Sequence, residues 1–82
     1  MFVGVLRLVL QIPGARSLKE RRKVVKSFKD RVRARLPVSV AEVGDVERHQ
    51  VATIAVTVVS RESPRVREVL SAATGMASNL SG

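Results

Sequence analysis

The stretch between Ser17 and Pro37 constrains this 82-residue sequence more than any other. Leu18, Val24, Val25, Phe28, Val32 and Leu36 recur at helical spacing and fall in an arc of about 120° when each residue is advanced by its helical angle. Ser17 followed three residues later by Glu20 has the pattern of a capping box, which starts the helix at Leu18. The residue before a proline is driven out of the α region, so Pro37 ends the helix at about Arg35. A helix with one apolar stripe must lay it on something, and the flanking segments supply a sheet.

Residues 2–12 alternate with period two. Phe2, Gly4, Leu6, Leu8, Leu10 and Ile12 form one face, and Val3, Val5, Arg7, Val9 and Gln11 the other. The first face reads as core and the segment as a strand, ended by Pro13-Gly14. Residues 38–43 alternate again as a second strand, and a polar connection starts at Gly44-Asp45. Residues 50–60 are apolar on both faces, Ala52, Ile54, Val56 and Val58 against Val51, Thr53, Ala55, Thr57 and Val59, which suits a central strand. Ser63-Pro64 reads as N-cap and first helical position of a second helix. Its inward residues are Val66, Val69, Leu70 and Ala73. Gly75 weakens it late, and residues 77–82 are expected to fray. The order is β-α-β-β-α, an α+β chain on the ferredoxin-like, split β-α-β plan. That predicts one domain over residues 1–82, an antiparallel sheet with two helices on one face, and a fourth strand missing or truncated beside the first.

Charge is distributed unevenly. Residues 16–35 hold ten of the fifteen Lys and Arg against Glu20 and Asp30, while the remaining residues balance to zero. Lys19, Arg22, Lys26, Lys29 and Arg33 fall within about 80° on the helix and make a straight stripe about 21 Å long. Arg16 extends it and Lys23 flanks it. Like charges at these spacings repel, and cations near the helix start oppose its dipole. The stripe therefore reads as a site for an extended polyanion such as RNA; the plain alternative is a solvated helix face. The apolar side of this helix is needed for the core, which argues against adsorption to a membrane. Arg21 and Arg35 project toward the apolar arc. The simplest account has their stems packed and their heads reaching water; for Arg21 the alternative is a pair with a carboxylate such as Glu42, or contact with an anion.

Other chemistry finds little support. Cysteine is absent, so disulfides and thiolate metal sites are excluded. His49 is the single histidine; nothing beside it suggests a nucleophile, and one His without Cys makes a poor metal site. Asp45, Glu47 and Glu42 do not have calcium-loop spacing. No glycine-rich phosphate loop, cofactor motif or membrane-spanning run occurs. The expectation is a non-enzymatic cytoplasmic protein with no cofactor and no metal. Phe2 and Phe28 are the only aromatics, so RNA would be held by backbone charge and shape rather than by base stacking. The apolar second face of the first strand, Val3, Val5, Arg7 and Val9, and the bare edge that the first strand would have without a fourth strand, suggest a homodimer that pairs through the first strand or the outer sheet face as an alternative role, with the tail as another cover for that edge.

Three segments together resemble the YlxP-like family of small bacterial proteins: Val3-Gly4-Val5-Leu6-Arg7-Leu8, Ile12 through Arg22 with its Ser-Leu-Lys-Glu-Arg-Arg core, and Val38-Ser39-Val40-Ala41-Glu42-Val43. The similarity covers about residues 3–70. It implies a ferredoxin-like fold and, through the company such proteins keep with translation and ribosome-maturation factors, a role near RNA or the ribosome. It implies no catalytic residues. Two features depart from the family pattern. His49 stands where an aromatic, typically tryptophan, is usual, and the fourth strand is not evident.

Overall fold

The third strand is the hub of the sheet. The computed structural model describes residues 1–44 and 50–81, with β1 (Phe2–Gln11), α1 (Leu18–Arg35), β2 (Ser39–Glu42), β3 (Val51–Ser60) and α2 (Ser63–Ser81). The strand order is β1-β3-β2 and both pairings are antiparallel. β1 meets β3 along its whole length, from Phe2 opposite Ser60 to Gln11 opposite Val51. This is the α+β, ferredoxin-like arrangement expected from the sequence, and β3, apolar on both faces, is central.

One face of the sheet is closed by the helices. Leu10, Val40, Ala52, Ile54, Val56 and Val58 are buried on that face. They meet Val25, Phe28 and Val32 of α1 and Val69 and Ala73 of α2. Phe28 and Ile54 are wholly inaccessible. α2 packs on β1 and β3, while α1 lies toward β2. Val3, Val5, Val9 and Val59 lie on the opposite, uncovered face, each about two-thirds exposed.

Several ends differ from the sequence reading for local reasons. Ser17 Oγ accepts from the Glu20 amide at 3.2 Å, as a cap should. The Glu20 carboxylate, however, accepts from the Arg16 amide at 2.7 Å, one residue before the cap. α1 closes with Leu36 in extended conformation, as a residue before proline must be. Leu18, placed in the core arc by its periodicity, is 41% exposed at the helix start, where it lines the groove shared with Arg21, Arg22 and Glu42. The first α2 bond runs from the Val66 amide to the Glu62 carbonyl at 3.4 Å. Ser63 is thus inside the helix instead of capping it, and its hydroxyl accepts from Arg67 at 2.7 Å. α2 passes through Gly75 and continues to Ser81, with Met76 and Ala77 packed against the core.

Gly4 lets α2 approach β1. A Cβ there would lie 2.4 Å from Val66 Cγ1 and 2.8 Å from Leu70 Cδ1. Valine in a helix has one strongly preferred rotamer and cannot swing aside freely. Gly4→Ala is therefore expected to destabilise the protein by about 1–3 kcal/mol, the usual cost of overpacking. Urea unfolding measures it, and an unchanged midpoint would mean that the helix does not sit this close.

Candidate functional site

α1 presents two chemically different sides. The inward side carries Val25, Phe28 and Val32, and with them Arg21, which is 4% exposed. Arg21 is ion-paired to Glu42 at the end of β2. Its guanidinium also donates to the Val51 carbonyl at the start of β3, from Nε at 3.3 Å and from a terminal nitrogen at 3.1 Å. The pairing alternative is therefore the correct one for Arg21, and its head does not reach water. No buried side-chain nitrogen or oxygen among the described residues lacks a hydrogen-bond partner. Arg35 lies exposed at the last residue of the helix.

The outward side carries the cations. Lys19, Arg22, Lys23, Lys26 and Arg33 are exposed, Lys29 is half-buried, and Arg16 is exposed just before the cap. Arg22, Lys26, Lys29 and Arg33 line one wall of an open groove of about 640 Å³ between α1 and β2, with the Arg21–Glu42 pair at its edge. Lys19 and Lys23 lie on the helix outside the groove.

The stripe is less uniform than its spacing suggests. Lys26 Nζ donates to Asp30 at 2.7 Å, and Arg33 approaches the same carboxylate at 3.7 Å. Arg33 also donates to the Val40 carbonyl at 2.9 Å, tying the end of α1 to β2. Asp30 thus anchors two members of the stripe. The i,i+4 and i,i+3 spacings from Lys26 and to Arg33 were the sequence signal for this anchoring. Arg16, Lys19, Arg22, Lys23 and Lys29 make no side-chain hydrogen bond or ion pair with another described residue.

The first-strand residues Val3, Val5, Arg7 and Val9 are placed together on the uncovered sheet face, remote from this groove. His49, Asp45 and Glu47 lie outside the described residues. Among the described residues no group of three His, Cys, Asp or Glu is placed to hold a metal ion, and no helix is long and apolar enough to cross a membrane.

The chain belongs to the family described as "Protein of unknown function (DUF503)", which it matches over residues 3–81. No curated protein matches it.

The hydrogen bond from Lys26, reinforced by the charges of Lys26, Arg33 and Lys29, holds the Asp30 carboxyl below its ordinary value. A carboxyl lowered by folding contributes its full stability above the unfolded value and loses it as the pH falls through the folded one. An NMR titration should show Asp30 with a lowered midpoint, and Lys26→Gln should bring it back toward that of a free aspartate. A midpoint that ignores this substitution contradicts the pairing.

Proposed function

We propose that this DUF503 member is a non-enzymatic binding module that holds RNA, free or within the ribosome, along the outward face of α1. The observation that carries the reading is the row of cations on α1 that make no ion pair or side-chain hydrogen bond with another described residue: Lys19, Arg22, Lys23 and Lys29, with Arg16 before them. A folded protein that needed only solubility would gain by interspersing acids on such a face. The groove beside it is open and bordered by Arg22 and Lys29, which suits a phosphate backbone more than an enclosed small molecule.

The likeness of the Ser17–Arg22 segment and the opening strand to the YlxP-like proteins supports a place near translation, and with it a cytoplasmic location. Contacts made through charge alone position a nucleic acid without reading its sequence. The uncovered sheet face offers no aromatic for base stacking, since Phe2 and Phe28 belong to the helix-facing side. Binding should thus be strongly salt-dependent and weakly selective.

Labelled RNA titrated at several salt concentrations provides the test. Four or five phosphate contacts give a log–log slope of about −3 to −4.5. Arg22→Glu with Lys29→Glu should reduce both affinity and slope. These residues are chosen over Lys26 and Arg33 because neither Arg22 nor Lys29 makes a hydrogen bond or ion pair with Asp30. A flat salt response, or unchanged affinity in the folded double variant, would rule the reading out.

A further inference from the structure

The side of β1 turned away from β3 is open: among the described residues no strand pairs with it. Its hydrogen-bonding groups can be assigned. The Ile12 amide donates to the Gln50 carbonyl at 2.8 Å, continuing the β1–β3 register by one residue. Antiparallel ladders alternate, so the even-numbered residues of β1 bond to β3 and the odd-numbered ones, Val3, Val5, Arg7, Val9 and Gln11, turn their N–H and C=O groups outward. This makes a ten-residue edge with a single charge, Arg7. Natural edges of such length are ordinarily blunted by charge, proline or a bulge, or are covered.

A second observation concerns the helix beneath that edge. Residues 71–81 of α2 contain no charged side chain, whereas its first turns carry Arg65, Arg67 and Glu68. Ser71, Thr74 and Ser78 are exposed. Thr74, Ala77 and Ser78 line a groove of about 280 Å³ with Leu8, Val9, Leu10 and Gln11 at the edge. The exposed Ser71, Thr74 and Ser78 of an uncharged helix half, beside an unpaired strand, make a surface suited to another protein chain.

We infer that the occupant is a second copy of this chain, joined by antiparallel β1–β1 pairing about a two-fold axis at Leu6, which makes one six-stranded sheet. Two arguments select this partner. The first is register. Odd residues must oppose odd residues, and pairing about Leu6 sets Val3 against Val9 and Val5 against Arg7 of the other copy. The register centred on Arg7 would oppose two arginines, which is unfavourable.

The second argument is distance. α2 packs on both β1 and β3, so its axis lies about half a strand spacing inside β1. The two-fold axis lies half a spacing outside. The two α2 helices would run about 10 Å apart, within the 8–10 Å at which helices pack directly. Small side chains permit that approach. Gly4 lies beside Val66 and Leu70, and residues 8–11 beside Thr74 to Ser78, so Leu6 is level with Ser71 and the helices cross at small residues. Arg67, one turn away, is held by Ser63.

The experiment combines sedimentation with amide exchange on the 82-residue chain. The expected result is a dimer at low micromolar concentration. The amides of Val3, Val5, Arg7 and Val9 should become protected as concentration rises, while those of Leu6 and Leu8 are protected throughout. Two variants separate this mode from stacking of the uncovered sheet faces. Val5→Pro removes an N–H that points away from β3, so the monomer ladder survives. Ser71→Lys places a solvent-compatible residue on an exposed helix position and brings two ammonium groups together at the axis; it guards against a folding defect in the proline variant. Folded Ser71→Lys should be monomeric. A wild-type monomer, a dimer that survives Ser71→Lys, or odd-residue amides that exchange freely in a dimer would each overturn the inference.

Discussion

Arg21 is the constraint on which the placement of α1 depends. Its guanidinium joins the second turn of α1 to the last residue of β2 and the first of β3, the two strand ends that flank the β2–β3 connection. A buried cation must be paired and fully hydrogen-bonded to be tolerated, so the helix can take few other rotations about its axis. With Arg21 turned inward beside Val25, Phe28 and Val32, helical geometry sends Lys19, Arg22, Lys26 and Lys29 outward or to the groove. Arg33 fixes the other end of the helix through the Val40 carbonyl. The orientation of the basic face thus follows from two arginines that are themselves engaged with the sheet.

Much of this could be read from local pattern. The apolar period of α1, its stop before Pro37 and the two-sided apolar character of β3 each depend on neighbours within a few residues, and the structure reproduces them. The fate of Arg21 depends on Glu42, 21 residues away. Periodicity places Arg21 toward the core without saying which carboxylate arrives there, which is why outward reach and ion pairing both stood as readings. Leu18 differs for a similar reason: the helical wheel gives its angle, but not which residues of the sheet reach over the first turn. Spacing aligns the members of the cationic stripe but does not say which of them Asp30 engages; its carboxylate holds Lys26 and approaches Arg33.

The two unpartnered surfaces are of opposite kinds. The outward face of α1 is dense in charge, and the β1 edge with residues 71–81 carries almost none. Because α1 lies toward β2 and α2 lies under β1 and β3, the two surfaces sit on opposite flanks of the helix layer. A two-fold assembly through β1 would leave both basic faces free, one at each end of a six-stranded sheet. Association and polyanion binding would not compete for the same residues, and each can fail experimentally without the other.

The central claim is that a buried Arg21–Glu42 pair sets the orientation of α1. A double-mutant cycle with Arg21→Met and Glu42→Leu tests it most directly by equilibrium unfolding. Breaking a buried pair from one side costs about 3–5 kcal/mol. The double variant should cost less than the two single losses together by about 1–3 kcal/mol, because neither charge is then left alone. Losses that add to within about 0.5 kcal/mol would show that the two residues act independently and would contradict the account.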